Sequence, residues 1–203
     1  MAFSPDGTRL AIGRLTGLVD VLRIDGAAGP DLDRFDGGIR VPRFELPDAD
    51  RRVLVDYKAR DHVLSLAWAP GGEFIVTGSG DRVGLWDVAG RRLTSVLLGH
   101  AAEVIGVAVT STGWILSADV TGDVKLWPWI GGGATRVLRS SFAMDNRWQL
   151  SVSADGRTAA TIQLDAGVML WRLADSSRVV LRPGSGRVDL AHLPPSLAVT
   201  ARG

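Results

Sequence analysis

The sequence contains no cysteine, and Lys58 and Lys125 are the only lysines among its 23 lysine and arginine residues. Without cysteine the chain has no disulfide framework, no thiolate nucleophile and no sulfur-based zinc site. It also lacks the run of roughly 20 apolar residues that a membrane-spanning helix needs, and a signal peptide is not evident at its N-terminus. We therefore expect a cytoplasmic protein without a membrane partner.

The chain also lacks an excess of either charge. Its formal net charge is +1, which gives too weak a field to argue for nucleic acid, and we expect no nucleic-acid partner. Its 203 residues, of which 46% are apolar, suffice to bury a sizeable core. One globular unit is the expectation from composition.

Three tryptophans end similar apolar runs, and their spacings are 41 and 44 residues. These three runs are VGLWD at 83–87, VKLW at 124–127 and VMLW at 168–171, and VDVL at 19–22 is a degenerate fourth copy without tryptophan. A repeat of this length with a terminal tryptophan is typical of a four-stranded propeller blade. The sequence therefore predicts an all-β fold, a β-propeller of four-stranded antiparallel blades.

Alternation and turn residues predict four strands in each repeat. In the second repeat these strands are Val63 to Ala69, Phe74 to Ser79, Val83 to Trp86, and Arg92 to Leu98. The predicted blades span 1–57, 58–98, 99–139 and 140–182, with half a blade at 183–203. In blade 1, a loop insertion at 25–50 is expected to separate the third strand from a fourth strand at Arg52 to Tyr57.

The sequence also contains Trp86-Asp87, Gly99-His100, and the turn strings SPDG at 4–7 and SADG at 153–156. In these residues the chain resembles the WD-repeat β-propeller family. The resemblance implies that His100, four residues before Val104, forms a hydrogen bond inward to a turn aspartate. Thr121 occupies the family's aspartate position in that blade, so Asp119 or Asp123 would have to replace it.

Several of these residues are predicted to stabilise the blades. A buried tryptophan needs a hydrogen-bond partner for its N–H group, which a nearby hydroxyl, histidine or aspartate supplies. The residues with predicted structural roles are Trp86, Trp127, Trp171, His100, Asp81 and Asp165.

The resemblance implies a non-catalytic scaffold that binds a peptide or protein partner. Loops before first strands and turns between second and third strands are expected on one face of the propeller. The predicted partner-binding residues in them are Asp61, His62, Arg82, Glu103, Asp145, Asn146, Arg147 and Trp148. Trp148 is singled out because large aromatic side chains often anchor interfaces.

Two alternatives remain open from the sequence. A propeller hydrolase would assemble its site from distant loops, but the three histidines have no metal-ligand spacing and no nucleotide-binding or HExxH motif occurs. No catalytic residue, metal or cofactor is therefore predicted. The other alternative is a C-terminal sensor fragment of a larger bacterial signalling protein, fused to a nucleotide-switch or kinase domain.

The sensor alternative rests on the predicted incompleteness of the ring. Met1 falls inside an expected first strand, and the last half blade lacks its two outer strands. Known propellers close with typically four to eight blades. Because this chain would end in half a blade, we expect an open or truncated ring of about four and a half blades with exposed apolar flanks. Self-association through the incomplete blades is a further expectation.

Overall fold

The computed structural model describes residues 1–15, 17, 19–24, 32–35, 62–90, 92–129, 134–139, 150–163 and 167–181. Within these ranges the regular structure consists of strands, which form four antiparallel four-stranded sheets. The same ranges contain no helix with the length and apolarity needed to cross a membrane. The predicted all-β propeller of four-stranded antiparallel blades is confirmed.

The strands follow the chain order within every sheet. Sheet 1 contains β1 (Ala2–Phe3), β2 (Arg9–Gly13), β3 (Val19–Arg23) and β4 (Leu32–Phe35). Sheet 2 contains β5 (Val63–Trp68), β6 (Phe74–Ser79), β7 (Arg82–Asp87) and β8 (Arg92–Leu98). Sheet 3 contains β9 (Val104–Val109), β10 (Trp114–Asp119), β11 (Asp123–Pro128) and β12 (Arg136–Arg139). Sheet 4 contains β13 (Leu150–Val152), β14 (Thr158–Gln163), β15 (Gly167–Arg172) and β16 (Arg178–Leu181).

Consecutive sheets pack through their first strands. Strand β5 contacts β1 and β2, strand β9 contacts β5 and β6, and strand β13 contacts β9. The first strands therefore lie on the inner side of the arc, and the fourth strands lie at the opposite edge of each sheet. This is the arrangement of propeller blades around an axis.

The apolar core is divided among the spaces between sheets. Successive strand residues point to opposite faces, so each middle sheet contributes to two clusters. Ile75 and Trp86 pack towards sheet 1, whereas Val76 and Leu85 pack towards sheet 3. A third cluster fills the space between sheets 3 and 4 and includes Trp171. Each repeat tryptophan thus packs against the preceding sheet.

The fourth strand of sheet 1 lies elsewhere than the sequence predicted. We expected it at Arg52 to Tyr57, but Leu32–Phe35 pairs with β3 and lies inside the segment predicted as an insertion. Residues 36–61 are outside the described residues, as is the predicted half blade at 183–203. A partner close in sequence has a lower entropic cost of loop closure, which favours the nearer strand.

Candidate functional site

The three repeat tryptophans each donate a hydrogen bond to a hydroxyl group on the neighbouring strand of the same sheet. The pairs are Trp86 with Thr77 at 2.8 Å, Trp127 with Ser117 at 2.7 Å, and Trp171 with Thr161 at 3.3 Å. All three acceptors are buried. These bonds satisfy the indole N–H groups, which would otherwise destabilise the space between sheets.

In sheet 3 the hydrogen-bonded network extends to a histidine and an aspartate. Nε2 of His100 lies 2.6 Å from the Ser117 hydroxyl, and Nδ1 lies 2.7 Å from Oδ2 of Asp119. Asp119 takes the place that the family gives to the residue at position 121, and its other oxygen accepts hydrogen bonds from the Thr121 hydroxyl and backbone. One carboxylate therefore holds both the histidine and the turn.

Donor and acceptor chemistry fixes the two ends of this network. The indole of Trp127 only donates and the carboxylate of Asp119 only accepts. With the imidazole neutral, Nδ1 of His100 therefore donates to Asp119 and Nε2 accepts a hydrogen bond from the Ser117 hydroxyl. Burial alone would raise the pKa of the Asp119 carboxyl, but hydrogen bonds from His100 and Thr121 outweigh it and lower this pKa below 3.8.

Sheet 1 has no such network at the matching positions. In sheet 1 Leu10 pairs with Leu22, and in sheet 2 Ile75 pairs with Trp86, so Leu22 takes the position of the tryptophan. Two residues after Leu10, Ile12 takes the position that Thr77 has in sheet 2. Both the tryptophan and its acceptor are thus replaced by aliphatic residues. Losing both partners together leaves no orphaned polar group, so the exchange is nearly neutral in hydrogen bonding.

Turns between second and third strands meet the segments that lead into the next first strand. The backbone amide of Val63 donates to the carbonyl of Arg14 at 3.1 Å, and the amide of Val104 donates to the carbonyl of Gly80 at 2.6 Å. We call this end of sheets 1 to 3 the upper face. The opposite end, with the turns between first and second strands, is the lower face; it includes the β13–β14 turn of sheet 4, where the carbonyl of Gly156 accepts a hydrogen bond from the Thr112 hydroxyl.

Three of the predicted partner-binding residues lie at the upper face. His62 and Glu103 directly precede β5 and β9, and Arg82 begins β7. Nε of Arg82 lies 3.4 Å from Oδ1 of Asp81, and the Arg82 side chain is 19% exposed. The remaining predicted residues lie outside the described ranges; they are Asp61, Asp145, Asn146, Arg147, Trp148 and the predicted structural residue Asp165.

The upper face also carries residues that the sequence reasoning missed. Leu15 is 67% exposed in the β2–β3 turn, and Leu64 is 37% exposed on β5. Leu64 and Ile105 each lie at a register shift, which leaves one extra residue in the first strand. Two apolar residues are adjacent at 63–64 and again at 104–105, which interrupts the alternation of apolar and polar residues in these strands. This interruption is the sequence pattern that indicates a bulge.

An ion pair lies beside this apolar position. Nε of Arg14 donates to Oδ2 of Asp20, whose side chain is 1% exposed, while the Arg14 side chain is 51% exposed. In the part of the chain that the structure describes, no group of three or more histidine or carboxylate side chains is suited to hold a metal ion. The described side chains named here give the upper face exposed apolar surface and charge.

Comparison with known proteins agrees with the fold. A family model described as "WD domain, G-beta repeat" matches residues 52–87. The chain is also 29% identical over 136 residues to the human U3 small nucleolar RNA-associated protein 4 homolog. That match covers 63% of this chain and 17% of the relative, so the chain spans about a sixth of the length of the curated relative.

Proposed function

We propose that this chain, whose residues 52–87 match a WD-repeat family model, is a non-catalytic scaffold of the WD-repeat type that binds a peptide or protein partner through its upper face. Proteins built from WD repeats generally mediate protein–protein interactions and carry no catalytic site. The partner-binding residues in this proposal are those predicted from the sequence, together with the exposed residues of the upper face.

The observation that carries the proposal is the convergence of separate segments at one end of the sheets. The amide of Val63 donates to the carbonyl of Arg14, which joins sheets 1 and 2, and the amide of Val104 donates to the carbonyl of Gly80, which joins sheets 2 and 3. Within sheet 3 the amide of Val120 donates to the carbonyl of Glu103 at 2.9 Å. Loops held on a rigid sheet can present side chains with little loss of conformational entropy on binding. Three consecutive blades therefore contribute to one continuous recognition surface.

The proposal is tested by selecting peptides from a displayed library against the full 203-residue chain. The triple variant His62→Ala, Arg82→Ala and Glu103→Ala should weaken binding of the selected peptides by about tenfold or more, since each good contact contributes on the order of 1 kcal/mol. A matched lower-face variant, Glu73→Ala with Arg157→Ala, should bind as the parent chain does.

Thermal unfolding of both variants separates recognition from folding. The triple variant should keep the melting temperature of the parent chain, because its substituted side chains are at least partly exposed. If the selected peptides bind the triple variant as tightly as the parent chain, or depend on the lower-face residues instead, the proposed site is wrong.

A further inference from the structure

We propose that Leu15, Leu64 and Arg14 form an anchor site for an extended partner segment with a large apolar residue and, two positions away, a carboxylate. The apolar side chain would lie on the two leucines and the carboxylate would pair with the guanidinium of Arg14. This inference rests on the proposed function, because it names the chemistry that the upper face recognises at the junction of sheets 1 and 2.

The apolar part of the site comes from two exposed leucines on adjoining backbone segments. The Val63 amide donates to the Arg14 carbonyl at 3.1 Å, which brings the next residues, Leu15 and Leu64, to neighbouring positions. Other exposed aliphatic residues, such as Leu98 and Val137, lie on fourth strands at the far edge of their sheets. Leu15 and Leu64 therefore differ from them in lying where loops converge.

The charged part of the site is the outer edge of Arg14. Its Nε is engaged by Asp20, which in the described ranges is the hydrogen-bond partner of this side chain. Among the residues that the structure describes, its two terminal nitrogens have no hydrogen-bond partner, and the side chain is half exposed. A guanidinium presents paired N–H donors that match a carboxylate, so Arg14 can hold buried Asp20 and a ligand carboxylate at once.

An extended segment fits this pair of features. Side chains at positions i and i+2 of a strand point to the same side and lie about 7 Å apart. Such a segment therefore presents an apolar side chain and a carboxylate to the same side, as the proposed contacts with the leucines and Arg14 require. A basic residue in place of the carboxylate would be repelled by the positively charged guanidinium. The site therefore prefers an acidic residue over a basic one.

The experiment uses fluorescein-labelled nine-residue peptides with a central Phe-Ser-Glu or Glu-Ser-Phe between glycine and serine flanks. Binding to the full chain is measured by fluorescence anisotropy, with Phe-Ser-Gln, Phe-Ser-Lys and Ala-Ser-Glu peptides as comparisons. Loss of either the carboxylate or the phenyl ring should weaken binding by about tenfold, the size of one good contact. Equal binding of all these peptides would overturn the proposal.

Variants of the chain assign the binding to the three residues. Leu15→Ser with Leu64→Ser should abolish the preference for phenylalanine over alanine, whereas Leu98→Ser should preserve it, although Leu98 is 64% exposed and Leu15 is 67% exposed. Arg14→Lys keeps a positive charge beside Asp20 but removes the paired donors. It should reduce the preference for glutamate over glutamine while the melting temperature shows that the chain is folded.

The outcomes also separate this inference from the proposed function. If library-selected peptides lose binding to the His62, Arg82 and Glu103 variant but not to the Leu15 and Leu64 variant, the anchor site is wrong and the upper face still binds. If those peptides bind both variants like the parent chain, the proposed function itself fails. Loss of phenylalanine preference in the leucine variant alone supports the anchor site.

Discussion

The indole nitrogen of Trp127 donates a hydrogen bond of 2.7 Å to the hydroxyl of Ser117, and this hydroxyl also lies 2.6 Å from Nε2 of His100. One small side chain thus serves two buried partners. The matching hydroxyl in sheet 2, that of Thr77, accepts from Trp86 at 2.8 Å. The difference between the two sheets makes the contribution of the network measurable.

Ser117→Ala should destabilise the chain more than Thr77→Ala does, although it removes fewer atoms. It orphans both the indole of Trp127 and Nε2 of His100, and each buried unsatisfied group costs about 1–3 kcal/mol. Thr77→Ala orphans the indole of Trp86 and removes one methyl group. Urea unfolding of the two variants measures the difference, and an equal or smaller loss for Ser117→Ala would contradict the network.

The Asp119 carboxyl should make folding stability depend on pH under acidic conditions. Its pKa in the folded chain lies below 3.8, because hydrogen bonds from His100 and Thr121 outweigh the effect of burial. The unfolded chain therefore binds a proton first, so this stabilisation is present above pH 3.8 and is lost as the pH falls through the folded-state pKa.

Asp119→Asn removes this titration. The free energy of unfolding of the variant should therefore be lower near neutral pH and should fall less between about pH 5 and about pH 2.5 than that of the parent chain. Unfolding by urea at a series of pH values measures both quantities. If the free energy of unfolding of the variant depends on pH as that of the parent chain does, the lowered pKa of Asp119 is not the cause of the acid dependence.

Blades 2 to 4 were readable from the sequence because their inner strands are buried on both faces and carry strong patterns. The predicted third strand at Val83 to Trp86 corresponds to β7 at Arg82–Asp87, and the second strand at Phe74 to Ser79 has the same bounds as β6. The tryptophan at the end of each third strand fixes the register of the repeat. Its large contact area explains why this signal is strong.

Other features depended on geometry that a sequence does not display. β4 at Leu32–Phe35 is a short outer strand in a segment dominated by turn residues, so its alternation was too weak to identify it. The sequence left open whether Asp119 or Asp123 is the partner of His100. Asp119 takes this role because of the turn between β10 and β11, in which it accepts hydrogen bonds from the backbone amides of residues 121 and 123. The exposure of Leu15 and Leu64 required the packing of two sheets.

Arg136 should stabilise the contact between sheets 3 and 4. Its guanidinium donates to the carbonyls of Leu173 and Ala174 and lies 4.7 Å from the centroid of the Trp114 ring. Arg136→Met keeps most of the aliphatic stem but removes these interactions, and hydrogen bonds to charged groups contribute about 1.5–3 kcal/mol. We expect a loss of stability of about that size in urea unfolding.

The matched control for this substitution is Arg92→Met. The Arg92 side chain is 73% exposed, with Nε 3.7 Å from Oδ2 of Asp87, and an exposed pair of this kind contributes at most about 1 kcal/mol. The two variants change charge and volume in the same way. If they unfold at the same urea concentration, the guanidinium of Arg136 does not hold the two sheets together.

Gly13 should be required where sheet 1 packs against Val63 and Leu66 of sheet 2. A Cβ atom at this position would lie 2.5 Å from Cγ1 and 3.1 Å from Cβ of Val63, and 3.2 Å from Cδ2 of Leu66. Overpacking of a core costs about 1–3 kcal/mol, since neighbouring side chains must leave their preferred rotamers. Gly13→Ala should therefore lower the free energy of unfolding by about that amount, despite the better strand propensity of alanine.

Gly106→Ala provides the comparison, because Gly106 also lies in a strand that packs against the next sheet. Its added Cβ would lie 3.2 Å from Cβ of Leu150, a contact that a shift of a few tenths of an ångström relieves. The conformational advantage of alanine over glycine in a strand, about 0.5–1 kcal/mol, should offset most of that strain. The predicted order is therefore a clear loss for Gly13→Ala and a change near zero for Gly106→Ala. The reverse order would mean that sheets 1 and 2 do not approach as closely as sheets 3 and 4.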